Sequence, residues 1–302
     1  MTPLSIPQLA QLRKLRGNPI MLYSAGIADD SIPIFYECLR REGHPKRLDL
    51  ILSTSGGSIL ATRRIALLLR EYVEHLTILV PYRAWSAGTL LGLSANELVL
   101  GPLSELSPID ANNNSASMKA TNEPSSVSAE EVRMFQQMAA DWFGVTRDQD
   151  RLQVLALVAQ RFFPTSLCAI YRSAQLVNRI ANELLAYQLP ETNPTTRQNI
   201  VDQLISAYYD HNYQITRQEA RTLGLNIQYA TPEEEQLLWD IWQKCDTFIT
   251  PDAADPDPER NIMGILMGEQ CFAQLKRDWN PTSQWSDQDN PFDGLNVTWE
   301  MH

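Results

Sequence analysis

The stretch LTILVPYRAWSAGTLLGLSANELVLG, residues 76–101, decides how this chain folds. Its first part is mostly apolar and predicts a buried strand, which a short turn ends. Ser86, flanked by small residues, then stands where a second apolar segment, typical of a helix, begins. Open α/β sheets bind their ligands at the carboxyl ends of parallel strands. A hydroxyl at this junction is therefore a candidate for chemistry.

Strand and helix patterns alternate through the first 110 residues. Continuous apolar runs predict strands, and apolar positions that recur at intervals of three and four predict amphipathic helices. The predicted strands cover 19–25, 48–55, 76–81 and 97–102, and the predicted helices cover 29–43, 58–75 and the segment after Ser86. Such alternation predicts right-handed crossovers and a mostly parallel sheet covered by helices. The expected fold class is α/β, with stacked βα units followed by a helical C-terminal region.

Composition divides the chain into three predicted parts. Residues 1–127 hold the α/β core and end in a polar loop at 111–127. Residues 128–245 have a helical pattern and are expected to complete the fold. Residues 246–302 begin with an acidic, proline-rich linker and continue as a tail, in which a helix is predicted over 261–279.

Two helix starts in the second part carry recognisable capping signals. Thr216 and Glu219 have the spacing of a capping box, and Gly224 stands where a helix is expected to end. Thr231 followed by Pro232 is the favoured order at the N-cap and first helical position.

Charge and cysteine usage exclude several classes of function. The net charge is −11 and the pI is about 4.9, which disfavours nucleic acid or an anionic membrane as a partner. No window approaches the length of a membrane span, and the N-terminus lacks a signal-peptide core. The cysteines Cys38, Cys168, Cys245 and Cys271 are scattered, so neither a disulfide framework nor a zinc site is expected. A reducing cytoplasm fits this pattern.

A pair of glycines marks a second junction between a strand and a helix. Gly56 and Gly57, in STSGGS at 53–58, can adopt backbone angles closed to other residues and leave amide N–H groups exposed. Such donors suit an oxyanion, although an isolated Gly-Gly also fits a plain tight turn, and Ser86 alone also fits a plain helix cap. Neighbouring parallel strands would place the two junctions side by side. A nucleophile beside a donor pair is the minimum for acyl transfer.

Four blocks of the sequence resemble a known family. LILSTSGGSILATRRIALLL, VPYRAWSAGTLLGLSANELVLGP and SPID are similar to the Clp-protease/crotonase fold, and more closely to the serine dehydrogenase proteinase family, relatives of signal-peptide peptidase A. In that family the pattern is Gly-Gly, then Ser-(Gly/Ala)-Gly-Thr, then Gly-Pro-Val-Asp-Pro-Gln. The block DHNYQITRQEARTLGLNIQYATPEE resembles its His-x-Tyr-Pro-Ile segment. The resemblance spans about 18–245 and implies that Ser86 is the nucleophile, with an oxyanion hole from the amides of Gly56, Gly57 and Ala87.

The sequence does not decide which residue is the base that would activate the serine. A serine hydroxyl is a weak nucleophile until a base takes its proton. Clp-type proteases place a histidine after the fourth strand, where this chain has Ile109 and Asp110. Lys119 in a Ser-Lys dyad and His211, whose imidazole can accept a proton, are the candidates, and a third possibility is that neither acts. Asp110 either orients a base or caps a turn.

The resemblance implies a cytoplasmic serine peptidase of the Clp/signal-peptide-peptidase class. It would cleave peptide or protein substrates through an acyl-enzyme on Ser86, without metal or cofactor. A homo-oligomer is implied as well, and energy-dependent unfolding of substrates would need an unfoldase or adaptor partner. Two alternatives belong to other classes: a catalytically silent Clp-like scaffold that binds peptides or partners, and a crotonase-type enzyme whose paired amides act on an acyl-CoA thioester.

Overall fold

The protein is described by a computed structural model over five segments: 4–109, 129–161, 164–249, 262–277 and 297–302. Three features predicted from the sequence lie outside these residues. They are Asp110, Lys119 and the polar loop at 111–127.

The described residues form ten helices and eleven strands. The helices are α1 (Pro7–Arg16), α2 (Ser31–Glu42), α3 (Ile59–Tyr72), α4 (Ala87–Gly92), α5 (Ala129–Phe143), α6 (Asp148–Arg161), α7 (Pro164–Gln188), α8 (Pro194–Ser206), α9 (Arg217–Thr222) and α10 (Pro232–Phe248). The strands are β1 (Ile20–Ser24), β2 (Arg47–Ser53), β3 (His75–Val80), β4 (Arg83–Ala84), β5 (Glu97–Leu100), β6 (Glu105–Leu106), β7 (Ile215–Thr216), β8 (Ile227–Tyr229), β9 (Ile262–Met267), β10 (Phe272–Arg277) and β11 (Val297–Met301). None of these helices is long and apolar enough to cross a bilayer.

Eight strands form one large sheet in the order β11-β10-β9-β1-β2-β3-β5-β8. The strands from β1 to β8 in this order are parallel, whereas β9, β10 and β11 are antiparallel to their neighbours. A second, three-stranded sheet has the order β4-β6-β7. The bridge between Thr54 and Ala84 links it to the end of β2. The predicted α/β class, with a mostly parallel sheet and stacked βα units, is confirmed.

The central strands of the large sheet are buried on both faces. Met21 and Tyr23 of β1 pack into a core with α2, α3 and α7 on one side. Leu22 points to the other side, where it joins Ile51 and Leu79 of the next strands beneath α1 and α10. Burial on both faces explains why the central strands are continuous apolar runs without a polar alternation.

The predicted helix caps form in the second part of the chain. Thr216 and Glu219 make the reciprocal hydrogen bonds of a capping box at α9, and Gly224 follows that helix with φ +100°. Thr231 caps α10 in the same way, with Glu234 as its partner and Pro232 at the first helical position. These predictions are confirmed. They were possible from the sequence because a helix cap depends only on residues close together in the chain.

The helix predicted over 261–279 is wrong. This segment forms the antiparallel strands β9 and β10, joined by a turn in which the Gly268 N–H donates to the Cys271 carbonyl at 2.9 Å. Gly264 explains part of the difference, because a Cβ atom there would lie 2.4 Å from Cβ of Ala25 next to β1. The strand can therefore approach β1 only with glycine at this position, and glycine also disfavours a helix interior.

The expectation that the cysteines form no disulfide is also wrong. Cys38 of α2 and Cys271, just before β10, are disulfide-bonded, and 233 residues separate them in the sequence. Cys168 is exposed and free, and Cys245 is buried and free. The spacing of the cysteines could not reveal the bond, because its partners come together only when β9 and β10 have docked beside β1.

A buried cluster of charges connects α1, β2 and α10. The Arg16 guanidinium donates to the carboxylates of both Asp49 and Glu234, and Asp49 is fully buried. The Asn18 amide also donates to Asp49, at 3.2 Å. Burial by itself would raise the pKa of Glu234, but hydrogen bonds from Thr231 and Arg16 hold that pKa below its usual value. The cluster is therefore stable in its charged form.

We expect Arg16→Met to lower the free energy of unfolding by about 3–5 kcal/mol at pH 7, because it leaves two buried carboxylates without their cation. The pKa of Glu234 is lowered on folding, so its contribution is present above the ordinary glutamate pKa of about 4.3 and is lost as the pH falls below it. The difference between wild type and Arg16→Met should therefore shrink toward pH 4. Urea unfolding at several pH values measures this difference.

Arg13→Met is the matched control for this prediction. Arg13 lies on the same helix and pairs with Glu269 at 2.9 Å, but its side chain is 55% exposed. Exposed pairs contribute only about 0–1 kcal/mol. Equal losses of stability in the two variants would contradict the role assigned to the buried cluster.

Candidate active site

Ser86 lies where β4 ends and α4 begins, and its backbone is in an unusual conformation. Its φ is +51° and its ψ is −109°, in a region that residues with a side chain rarely adopt. It occupies the N-cap position of α4, yet its side chain makes no capping hydrogen bond. A plain cap therefore does not explain this serine. Unfavourable backbone conformations of this kind are concentrated at functional sites.

A hydrogen bond to Ser107, the residue after β6, holds the backbone of Ser86, and Thr89 of α4 holds Ser107. The Ser86 N–H donates to Oγ of Ser107 at 2.7 Å, and both residues are buried. Thr89 Oγ1 in turn accepts the Ser107 N–H at 3.0 Å. The same oxygen lies 2.9 Å from the carbonyl oxygens of Ala84 and Ser107, to either of which it can donate. The strained serine is thus connected to both flanking strands of the small sheet.

The two glycines form a loop held against the segment after β1. The Ile27 N–H donates to the Gly56 carbonyl at 2.8 Å, and the Ser58 N–H donates to the Ile27 carbonyl at 2.7 Å. At Gly57, φ is +141°, and a Cβ atom would lie 2.0 Å from the Ile27 carbonyl oxygen. Only glycine fits this position without moving the loop.

The glycine loop and Ser86 lie side by side, as the two junctions of neighbouring parallel strands. A Cβ atom on Gly56 would be 3.0 Å from Cβ of Ser86 and 3.1 Å from the Trp85 carbonyl oxygen. The Gly56 N–H itself donates to Thr54 Oγ1 at 3.1 Å and is engaged. The N–H groups of Gly57 and Ala87 have no acceptor within the described residues. These two amides are therefore the donors left free beside the serine.

His211 lies in the loop that leads into β7. Because β7 pairs with β6 antiparallel, the residues before Ile215 run beside those after Leu106, which include Ser107. The topology thus brings the loop of His211 to the side of the small sheet that holds Ser86. Its Nδ1 is buried and has no hydrogen-bond partner in the described part of the chain, and no hydrogen bond there joins it to the serine. Asp110 and Lys119 lie outside the described residues, so their relation to Ser86 stays a prediction.

Two tyrosines next to His211 remain protonated over a wide pH range. The rings of Tyr208 and Tyr213 stack with centroids 4.6 Å apart. Burial, with the nearby Glu219 carboxylate, raises the pKa of Tyr208 to about 12. Tyr213 donates to Glu219 at 2.7 Å, and this hydrogen bond raises its pKa as well. At neutral pH both are hydrogen-bond donors and neither can act as a base.

Sequence reasoning missed Ser107, Thr89 and Thr54, which position the predicted residues. Of these three residues, Ser107 is the one that the sequence could have singled out. In SPID it stands where the resembled family pattern begins with glycine, so its hydroxyl is an addition to that pattern. The structure gives this hydroxyl a partner, the Ser86 N–H.

The order of these features along the chain can be compared with known proteins. Residues 14–132 match the ClpP-like SDH-type serine proteinase family. This match contains both junctions, the small-sheet strands β4 and β6, and Ser107. It confirms the resemblance of the first three blocks and the ClpP-like α/β fold, whereas the fourth block, at 210–234, lies beyond the matched residues.

Two individual proteins that are similar to this chain share a quarter to a third of the aligned residues with it. An uncharacterized protein of Methanocaldococcus jannaschii is 25% identical over 225 residues, which are 74% of this chain and 68% of that protein. A second uncharacterized protein of the same organism is 33% identical over 91 residues, 30% of this chain and 31% of the relative. Among solved structures, a mutant of the 1510-N membrane-bound stomatin-specific protease is similar with a TM-score of 0.41 and 13% identity, covering 74% of this chain and 82% of that one.

Ser107→Gly, which restores the residue of the family pattern, is expected to leave the buried Ser86 N–H without an acceptor. This should lower the free energy of unfolding by about 1–3 kcal/mol. It should also lower the rate at which a fluorophosphonate probe labels Ser86 by about 10-fold or more, because the hydroxyl is no longer held in one position. Thermal unfolding and labelling kinetics measure the two effects.

The matched control for Ser107 is Ser94→Ala. Ser94 is also a buried serine, and its Oγ donates to the Leu91 carbonyl at 2.7 Å at the end of α4, away from Ser86. Its loss should affect stability but leave the labelling rate of the folded protein unchanged. A similar fall in labelling rate in both variants would show that Ser107 acts only through stability.

Gly57→Ala is expected to displace the glycine loop and abolish labelling of Ser86. The positive φ alone costs an alanine about 1–2 kcal/mol, and the contact with Ile27 adds to this. Gly17→Ala is the control, because Gly17 also has a positive φ but its Cβ would meet nothing within 4 Å. Equal losses of stability in the two variants would contradict the close approach at Ile27. Differential scanning calorimetry makes this comparison.

Proposed function

We propose that this protein is a serine peptidase in which Ser86 attacks the carbonyl carbon of a peptide bond. The single observation that carries the proposal is the backbone of Ser86, which is held at φ +51° without any capping bond from its side chain. An ordinary N-cap serine has extended backbone angles and uses its hydroxyl in a capping hydrogen bond. A nucleophile on a sharp turn between a strand and a helix has a strained backbone and a hydroxyl that is not used in capping, because the turn presents the hydroxyl outward from the sheet.

The oxyanion hole in this proposal consists of the N–H groups of Gly57 and Ala87. Both lie next to Ser86 and have no acceptor among the described residues. Attack by the Ser86 hydroxyl on the carbonyl carbon would develop negative charge on the carbonyl oxygen, which two fixed amide donors stabilise. Gly56 contributes through its shape, since its own N–H is bonded to Thr54.

The base that takes the Ser86 proton is proposed to be His211 or Lys119. The place of the His211 loop beside β6 supports the histidine, and so does its buried Nδ1, which has no hydrogen-bond partner among the residues that the structure describes. A nitrogen in this position can hold the proton and return it to the leaving amine. Lys119 and Asp110 enter only through the resemblance to the family.

The expected substrate is a peptide or protein, which is the substrate class of the matched family. The cytoplasmic location, the homo-oligomer and an unfoldase or adaptor partner stay predictions. The disulfide between Cys38 and Cys271 bears on the first of these, because such bonds are rare in the cytoplasm outside hyperthermophiles.

An activity-based probe tests the proposed function. Purified wild-type protein is treated with a fluorophosphonate, which forms a stable bond to an activated serine, and labelling is followed by mass spectrometry. We expect one adduct, on Ser86, that Ser86→Ala abolishes. The variant at the base, His211→Ala or Lys119→Ala, should slow labelling by about 100-fold or more, as expected for loss of general-base catalysis.

Ser55→Ala is the matched control in this experiment. Ser55 is an exposed serine in the glycine loop, one residue before Gly56. Its loss should leave labelling unchanged. Folded wild-type protein that takes up no probe would overturn the proposal in favour of a silent scaffold. Thioester chemistry on an acyl-CoA that survives Ser86→Ala would favour the crotonase-type alternative.

A further inference from the structure

Arg83 lies on β4, three residues before Ser86, and its guanidinium is held against two aromatic rings. Its Cζ atom is 4.7 Å from the centre of the Tyr82 ring and 5.0 Å from the centre of the Trp85 ring. Trp85 directly precedes the candidate nucleophile. All three side chains of this group are partly exposed. A cation that solvent can reach is therefore held next to Ser86.

A row of packed rings fixes the position of this cation. The Tyr82 ring meets the Trp242 ring edge to face, with centroids 5.0 Å apart, and Trp242 stacks on Trp239 at 4.7 Å. Aromatic pairs in such arrangements stabilise each other beyond the apolar area that they bury. The row connects Arg83 to α10, so its guanidinium has little conformational freedom left to lose when a ligand binds.

The hydrogen-bonding edge of the Arg83 guanidinium is not used within the described part of the chain. Stacking occupies the flat face of a guanidinium, whereas its N–H groups point outward in the plane of the group. No group among the described residues accepts a hydrogen bond from this side chain. Glu105 is its partner in the register of β4 and β6, yet the two side chains form no ion pair. By contrast, Arg63 holds Glu183 through two hydrogen bonds of 2.7 Å.

The separation of Arg83 from Ser86 corresponds to a short stretch of substrate. Three residues of chain span at most about 11 Å, and an extended peptide covers the same distance with about three residues. We propose that Arg83 binds a carboxylate of the substrate close to the peptide bond that Ser86 attacks. The carboxylate is that of a glutamate or aspartate side chain or of the peptide's C-terminus, because a planar guanidinium matches its two oxygens.

This assignment rests on the proposed function and narrows its substrate class. The substrate is a peptide with an acidic group about two to four residues from the bond to be cleaved. The net charge of −11 makes such a preference distinctive, because the protein as a whole repels an acidic peptide. Without a specific cation, replacing glutamine by glutamate in a peptide would weaken its binding. A preference for glutamate at one place in the peptide therefore requires a fixed cation at the site.

Peptide binding to the Ser86→Ala protein tests the proposal without requiring catalysis. The probes are nonapeptides of alanine and leucine with an uncharged dye and an amidated C-terminus, in which one glutamate is moved from position to position. Each has a glutamine counterpart, and one further peptide has a free C-terminal carboxylate in place of the glutamate. Fluorescence anisotropy should show binding about 10-fold or more tighter for glutamate at one or two adjacent positions, or for the free carboxylate, than for the neutral counterpart. Adding Arg83→Gln should abolish this difference.

Two further variants separate the shape of the guanidinium from its charge. Arg83→Lys keeps the charge but lacks the planar fork, so it should retain only a small part of the difference. Arg40→Gln is the matched control, because Arg40 also lies over an aromatic ring, that of Tyr36, at 5.6 Å. It belongs to the last turn of α2, at the edge where the parallel strands begin, whereas Ser86 lies at the edge where they end. Its loss changes the net charge equally and should leave the difference intact. Circular dichroism shows whether the variants are folded.

Three results would each overturn the proposal: equal affinity for glutamate and glutamine peptides at every position, a preference that survives Arg83→Gln, or a preference that Arg40→Gln also removes. The free-carboxylate peptide shows whether a side chain or the C-terminus supplies the carboxylate. Fluorophosphonate labelling of the wild-type protein reports separately on the proposed function. Labelling of Ser86 without an acidic preference contradicts only the role of Arg83, and an acidic preference without labelling contradicts only the peptidase activity.

Discussion

The hydrogen bond from the Ser86 N–H to Ser107 Oγ is the constraint on which the candidate site depends. It connects the end of β4 to the residue after β6, and Thr89 of α4 completes the connection. Without an acceptor in this place the Ser86 backbone would have no reason to stay at a positive φ, and it could relax into an ordinary N-cap conformation. The Ser86 side chain would then no longer be held beside the glycine loop. The local structure of the site is thus determined by a contact between the two strands that flank it.

The sequence predicted the parts of the fold whose causes are local. The βα units between β1 and β5 follow from apolar periodicity, and the caps of α9 and α10 follow from residues three positions apart. The contact between Gly56 and Ser86 could also be predicted, although 30 residues separate them. Neighbouring parallel strands end at the same edge of a sheet, so two residues that follow such strands must lie close together.

The parts that could not be predicted depend on partners far away in the sequence. The segment that forms β9 and β10 has enough apolar residues for a helix. It forms strands because β9 pairs with the open edge of β1 and β10 pairs with β9. The same docking brings Cys271 to Cys38. Ser107 is a different case, because its one sequence signal is a departure from the resembled family pattern, which does not say what the hydroxyl contacts. Its role depends on where its hydroxyl lies relative to one amide, which periodicity and spacing do not contain.

The pairing of β9 with β1 has a consequence for how the chain is assembled. Leu22 pairs with Met267, so one edge of the central sheet receives its neighbour from near the other end of the sequence. During synthesis, β1, β2, β3 and β5 leave the ribosome long before β9, and the N–H and C=O groups along the outer side of β1 lack partners in the meantime. Contacts between such distant segments form slowly. The protein therefore passes through a period in which the open edge of β1 can pair with the wrong strand, and the bond between Cys38 and Cys271 can form only when that period has ended.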